Sequence, residues 1–321
     1  MNIKEIMGIA VREGIKADPR TEEEIKNILE ERKKEYEGLE GIKKEVYDRH
    51  LLESPYADSR IVWGDPGYEP SEAWVTIDAD TADILLVSRI TGETGSKPLI
   101  ISHHPAGRAY SNFYEVMDMQ SDVLQSMGVS AGAAGNLTRK RKQEVARKVS
   151  PSNHLKVTDS ASLLKIPLVS IHTPADNHVT SYLGSFIGER APRTLGQLSK
   201  LLYEIPEYRH SAENGQPPRI LNGDPSNRCG KVFVDMTGGT ENNPDLLSEL
   251  VSGGVSTVVG MHMSEKHYKK ARECNLNVVI AGHISSDNIG LNLLMDKIVS
   301  QGGPRVIPFG GFYRVERNDR G

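Results

Sequence analysis

Pro98-Leu-Ile-Ile-Ser-His-His-Pro105 is a run of apolar and small residues that ends in two adjacent histidines and a proline. Such a run suits a strand covered on both faces, as in a parallel sheet. Pro105 has no N–H to give a ladder, so the strand must stop there. Inside a strand, neighbouring side chains point to opposite faces. Two histidines at its frayed end escape that rule and can turn toward one site. In open α/β sheets ligands gather outside the carboxyl ends of strands, and imidazole is the commonest side-chain metal ligand. His103 and His104 are therefore candidate ligands, and the rest of the chain is read for what completes their site.

Upstream, residues 73–77 read as a strand, and Asp80 or Thr81 can cap a helix through residue 90. With the 98–104 strand these complete a β–α–β unit. Downstream, helices are expected at 113–127, 137–149 and 159–165. The second of these carries the basic run Arg139-Lys-Arg-Lys142. Residues 167–171 read as another buried strand, ending in His172-Thr-Pro-Ala-Asp176-Asn-His178, with a helix at 177–187. Residues 188–218 hold four prolines around a helix at 195–203. Strands are then expected at 232–235, 255–260, 277–281 and 305–309. Helices alternate with them after Pro244, at 264–274, and from Gly282-His283-Ile-Ser-Ser-Asp287 to residue 299. Alternation of this kind implies an α/β fold of two interlinked lobes, with mixed, largely parallel sheets flanked by helices. The expected division is a charged, mainly helical extension (1–70), a first lobe (71–190), a connector (191–218) and a second lobe (219–321).

The chain has 321 residues, enough for two lobes, and a net charge of -4 with a pI near 6.2, which disfavours a general nucleic-acid binder. The charges of residues 21–49 and of 139–148 are read as solvated helix faces; a nucleic-acid adaptor using 139–148 is the least supported reading. The two cysteines, Cys229 and Cys274, form no CxxC pair, so neither a zinc knuckle nor a disulfide framework is indicated. The opening MNIKEIMGIAVREG carries charges within its apolar residues and does not read as a signal peptide. No stretch approaches the roughly 18 apolar residues of a membrane span. A soluble, cytoplasmic protein is expected.

Three strand ends present candidate ligands: His103 with His104, then Asp176, then His283 with Asp287. If a helix begins at His283, it and Asp287 share a face. Nitrogen and carboxylate ligands together suit zinc, iron, manganese, cobalt or nickel. Five ligands exceed what one catalytic metal takes from protein, whereas two divalent ions about 3.5–4 Å apart would share them with positions left open. Asp176 could instead be an N-cap for the helix after it.

The ordered segments Val75-Thr-Ile-Asp-Ala-Asp80, Ile100-Ile-Ser-His-His-Pro105, Ile171-His-Thr-Pro-Ala-Asp176-Asn, Thr237-Gly-Gly-Thr240 and Ala281-Gly-His-Ile-Ser-Ser-Asp287 resemble those of the NGG-interacting-factor-3-like (Nif-3-like) proteins, often labelled GTP cyclohydrolase I type 2. The resemblance covers roughly residues 74–310. It implies a two-lobe α/β fold and a dinuclear metal site between the lobes. It implies ligands at His103, His104, Asp176, His283 and the carboxylate four residues later, and a ring-shaped homohexamer. The family's last ligand is usually Glu; Asp287 is one methylene shorter, so its helix must sit closer. The family's His-Thr-Asn-Leu-Asp is His-Thr-Pro-Ala-Asp here. Residues 1–70 and 111–155 look particular to a subgroup.

Secondary candidates surround this set. His172 could orient a ligand or be a plain buried histidine, and His178 could line the mouth or cap a turn. His262 and Glu265 could reach the site or form a solvated helix start. The loop Thr237-Gly238-Gly239-Thr240 could cradle a phosphate or be a tight turn that needs two glycines. A divalent metal makes hydroxide available near pH 7, and no separate general base is evident. The leading expectation is a metal-dependent hydrolase of a phosphorylated or nucleotide-like small molecule, given the glycine loop and nearby helix N-termini. The alternative is a non-catalytic metal-binding or metal-handling protein that acts through protein partners.

Overall fold

The chain, as a computed structural model, is described over residues 1–317. Its strands are β1 (Arg60–Trp63), β2 (Glu72–Thr76), β3 (Pro98–Ser102), β4 (Leu168–Ser170), β5 (Arg219–Asn222), β6 (Lys231–Asp235), β7 (Val255–Gly260), β8 (Asn277–Ile280) and β9 (Arg305–Pro308). They form two sheets, ordered β1-β4-β3-β2-β9 and β5-β8-β7-β6. In each sheet the first strand is antiparallel to its neighbour and the remaining pairs are parallel. The expected α/β class, mixed but largely parallel, is what is found. The order β1-β4-β3-β2 recurs as β5-β8-β7-β6, so the two halves share one topology. The last strand, β9, leaves the second half and pairs with β2 in the first sheet.

β3 is buried along its whole length, as its sequence requires. The strand ends at Ser102, two residues short of the expected 104, but its ladder runs on. The His103 N–H donates to Thr76 O at 2.9 Å and the His104 N–H to Ile77 O at 2.8 Å. Backbone pairing thus holds both histidines where side-chain alternation has already relaxed.

Between the sheets lie two long helices, Thr173–Arg190 and His283–Ser300. Ala175, Leu291, Leu294, Met295 and Ile298 face the first sheet, packing with Val75, Leu99, Ile101 and Val169. Val179, Leu183, Ile187 and Ile289 face the second, against Val259 and Val279. Two-sided burial is why neither helix has a polar stripe along its length. The first helix, Ile3–Lys16, joins the same layer through Ile3, Ile6, Met7, Ile9 and Ala10. The N-terminal segment therefore supplies a core helix and an edge strand. Within it, the helix Glu22–Glu37 buries only Ile25 and presents the solvated face that its charges imply.

The span 107–149 begins with a short helix, Gly107–Ser111, against β1, and then crosses to pack its later helices on the second half. A 3-10 turn at Phe113–Met117 leads into helices Asp118–Ser126 and Ala131–Val149. Leu124, Val129 and Ala134 share a core with Phe233, Leu247, Leu250 and Val258. The last helix starts six residues before the expected 137, because Ser130 caps it by accepting from the Ala133 N–H. The basic run is partly spent inside the molecule. Lys142 binds Glu115 at 2.9 Å and Asp118 at 2.7 Å, and Arg141 donates to Glu241 O at 3.0 Å. Residues 191–218 contain the expected helix, Leu195–Leu202, and a second, Pro206–Glu213, which Pro206 opens from a position where its missing N–H loses nothing. No helix among the described residues is long and apolar enough to cross a membrane.

The two long helices touch at Gly290, where a Cβ would fall 2.2 Å from Ala175 O, whereas a Cβ at Gly184 would meet nothing within 4 Å. Gly290→Ala should destabilise metal-free protein by about 2 kcal/mol or more, and Gly184→Ala should stabilise it by about 0.5–1 kcal/mol. Urea unfolding of the two variants measures both, and similar effects from the two would contradict the close crossing.

Candidate metal centre

Three chain turns converge between the sheets. β3 ends in His103 and His104. β4 ends at Ser170, and the helix after it begins at Thr173 with Pro174 in its first turn. Asp176 is thus inside the first helical turn and is not the N-cap, because the helix starts four residues before the expected 177. β8 turns through Gly282, at φ +119°, directly into the helix that starts at His283. His283 and Asp287 therefore share one helix face, with Nε2 3.7 Å from Oδ2.

The five candidate ligands come together. His103 Nε2 lies 3.4 Å from Asp176 Oδ1 and 3.4 Å from Asp287 Oδ1. His104 Nε2 is 3.5 Å from Asp287 Oδ2. A sixth group joins them, with His172 Nε2 3.6 Å from Asp176 Oδ2. Three overlapping sets lie at ligand spacing: His103, Asp176 and Asp287; His104, His283 and Asp287; and His103, His104 and His172. His103 Nε2, Asp176 Oδ1 and both Asp287 oxygens are buried with no hydrogen-bond partner among the described residues. Buried polar atoms are normally paired. Four orphans converging on one point form a donor set that fits a divalent cation.

The histidines are held from behind. His103 Nδ1 donates to Ile171 O at 3.2 Å, since a carbonyl can only accept. His104 Nδ1 meets Asp78 Oδ1 at 2.8 Å, and His172 Nδ1 meets Asp58 Oδ2 at 2.8 Å. Asp58 is itself fixed by Thr173 Oγ1 at 2.6 Å. Each Nε2 is left to face the centre, as in carboxylate- and carbonyl-oriented metal ligands. The electrostatics point the same way. Burial alone would lower the His103 pKa, but the Asp287 and Asp176 carboxylates outweigh it and raise it to about 10. Burial would raise Asp287, yet the histidines, His103 foremost, hold it far below the usual carboxylate range. The centre favours positive charge.

The secondary candidates separate. His178 lies two residues beyond Asp176, roughly 200° around the helix. It sits near Glu13 and Lys297, and burial pushes its pKa down to about 4. It does not line the cavity at the centre. The His262 ring is 5.0 Å from the His283 ring, with Nδ1 3.7 Å from Glu241 Oε1. Glu265 is exposed and pairs with Lys269 at 3.5 Å, because Ser264 starts the helix and turns the next residue outward. In the glycine loop, Gln120 Nε2 donates to Gly238 O at 2.8 Å and Thr240 O at 2.6 Å. Gly238 and Gly239 have φ of +98° and +86°, and a Cβ at Gly238 would fall 2.4 Å from Gln120 Cγ. Thr237 Oγ1 donates to Asn177 Oδ1 at 2.6 Å. The glycines let Gln120 dock, which gives the tight-turn reading its physical reason.

Sequence reading did not single out Asp58 or Glu241, and it placed Asp78 only within a motif. It left His172 undecided, although a pattern was present. His172-Thr-Pro-Ala-Asp176-Asn177 and His283-Ile-Ser-Ser-Asp287-Asn288 repeat His-x-x-x-Asp-Asn. The two copies start equivalent helices after the equivalent strands β4 and β8.

Removing Asp58, whose side chain is fully buried, should weaken divalent-cation affinity roughly 10–100-fold in Asp58→Ala. Asp78→Ala should weaken it less, since the Asp78 side chain is 75% exposed and water can replace it. Competition against a chelating indicator compares the two, and an unchanged affinity in Asp58→Ala would remove His172 from the centre.

No family model matches the chain, and no curated protein matches it. Solved structures do. A NIF3 superfamily protein from Sphaerobacter thermophilus is 23% identical with a TM-score of 0.69, over 81% of this chain and 93% of that one. Reduced HcgD from Methanocaldococcus jannaschii is 14% identical with a TM-score of 0.48, over 78% and 88%. TTHA1606 from Thermus thermophilus is 15% identical with a TM-score of 0.46, over 81% and 91%. The first of these likenesses shows that the chain shares the fold of that NIF3 superfamily protein.

Proposed function

We propose that this chain is a dinuclear metal hydrolase acting on a small molecule of the phosphorylated or nucleotide-like class. The observation that supports it most is Asp287. Its two buried, unpartnered oxygens face different histidines, Oδ1 toward His103 at 3.4 Å and Oδ2 toward His104 at 3.5 Å and His283 at 3.7 Å. His103, Asp176 and Asp287 would hold one cation. His104, His283 and Asp287 would hold the other, with His172 beside the far oxygen of Asp176. Three protein groups per ion leave coordination positions free, and the donor types suit zinc, iron, manganese, cobalt or nickel. Bound there, such ions supply Lewis acidity and a water acidic enough to react near neutral pH.

The chain's own residues supply the rest. Asp58 and Asp78 fix the rings of His172 and His104. A cavity of about 440 Å³ opens on the centre and limits bulk water around a bound molecule. His262, half exposed beside His283 with Glu241 behind Nδ1, is placed to pass a proton through Nε2. A cavity beside the ligands favours turnover over a closed storage site. The homohexamer implied by the sequence resemblance belongs to the same proposal.

Metal analysis of purified protein should find about two divalent ions per chain. Loaded protein should cleave members of a phosphate-ester and nucleotide panel, and His103→Ala should lower turnover by about a hundredfold or more, the scale of losing one preorganised group. A full metal load with no turnover across the panel would displace the hydrolase in favour of the non-catalytic metal-handling reading. Light scattering gives the assembly, with a mass near six chains expected.

A further inference from the structure

We infer that the molecule bound beside this centre has an uncharged, largely apolar, ring-bearing body, with its single reacting group at the ligand cluster. The inference rests on the hydrolase reading only for what that group undergoes. It narrows the substrate from nucleotide-like molecules in general to esters of apolar ring alcohols, such as aryl phosphates.

The cavity that opens on the metal ligands continues under the 107–149 segment. Phe113, Val123 and Leu124 wall it from that segment, and Leu247, Leu250 and Val258 wall it from the second half. At about 440 Å³ it falls within the usual range of small-ligand sites. Apart from its histidines, the ionisable groups that line it are acidic. Asp78, Asp176, Asp235, Glu241 and Asp287 line it, and no lysine or arginine does among the described residues. Sites for polyphosphates rely on arginine forks, lysines or free backbone N–H groups. The glycine loop is already engaged in part. Gly238 O and Thr240 O accept from Gln120, and the Thr240 N–H is turned back to Gly238 O at 3.2 Å. Two divalent ions would balance the ligand carboxylates and one anionic reacting group. A triphosphate chain would bring further negative charge toward Asp78, Asp235 and Glu241, with no lysine or arginine to meet it and only histidines that already face these carboxylates, His104 at Asp78 and His262 and His267 at Glu241. The apolar walls would meanwhile go unused by a sugar or a phosphate, and a ring system would cover them.

The covering segment is anchored rather than loose. Gln120 grips the glycine loop, Arg141 donates to Glu241 O at 3.0 Å, and Lys142 ties the start of the segment to its long helix through Glu115 and Asp118. The chamber is therefore preformed, and residues 107–149 set its selectivity.

The test uses 2-naphthol, 2-naphthyl phosphate and GTP as probes on the full chain. 2-Naphthol, which carries no metal-seeking charge, should bind metal-free and metal-loaded protein alike, read by its fluorescence. Val123→Phe, which fills the chamber, should weaken that binding at least about tenfold, on the scale of one or more misfitted methylenes. Metal content should stay unchanged. Should Val123→Phe fail to fold, Phe113→Ala, which opens the wall, must also alter the affinity. Metal-loaded protein should bind 2-naphthyl phosphate at least about tenfold more tightly than GTP, on the same scale. No 2-naphthol binding, affinity indifferent to both variants, or tighter binding of GTP would overturn the inference. Binding of 2-naphthol without cleavage of its phosphate would instead remove the hydrolase and leave the ligand class standing.

Discussion

The Thr173–Arg190 and His283–Ser300 helices meet where Gly290 lies against the carbonyl of Ala175. Asp176 and Asp287 stand one and three residues from that contact, so the separation of the two carboxylates is set by how closely the backbones approach. Only a residue without a Cβ permits this approach. The same closeness suits an aspartate at 287, whose short side chain must still reach the histidines on β3. A second small residue supports the layer from the other side. A Cβ on Gly14 of the first helix would fall 2.7 Å from Pro174. Two glycines thus hold three helices tightly enough for short acidic side chains to converge.

Such convergence is unfavourable by itself. An ionised carboxylate with both oxygens buried and unpartnered loses several kcal/mol of hydration. Neighbouring imidazoles return part of that, which is why the His103 pKa rises to about 10 and Asp287 falls far below its ordinary range. Much of the surrounding polar structure works outward from the centre. Asp58, Ser59 and Thr173 brace His172. Asn177, next to Asp176, donates to Gly14 O and Asp18 and accepts from Thr237, joining the first helix, the central layer and the second half. The donor set is rigid before any cation arrives, and preorganisation of that kind favours tight, selective binding.

What could be read from sequence follows from local physics. Long apolar strands closed by histidine, proline or glycine were visible because parallel strands are buried on both faces, and three of the five ligand positions, His103, His104 and His283, sit just beyond their ends. β1 and β5 were not visible. Arg60-Ile-Val-Trp63 and Arg219-Ile-Leu-Asn222 are four-residue edge strands whose pairing depends on partners more than 50 residues away. The start of the Ala131–Val149 helix was hidden by Gly132 and Gly135, poor helix formers that packing tolerates. Asp58 just precedes β1, a strand the sequence did not reveal, and reaches the centre through His172. Nothing local announces it. His172 was the recoverable omission, since its spacing to Asp176 repeats that of His283 to Asp287.

β9 gives the topology a further meaning. The chain leaves the first sheet, builds the second, and returns to pair with β2. The second half is stitched into the first at both ends, like a patch sewn along two seams. It cannot swing away without stripping a strand from its neighbour. Traffic to and from the centre therefore relies on the standing mouth of the cavity, where the side chains of His262 and His283 remain partly exposed, rather than on any hinge between the halves.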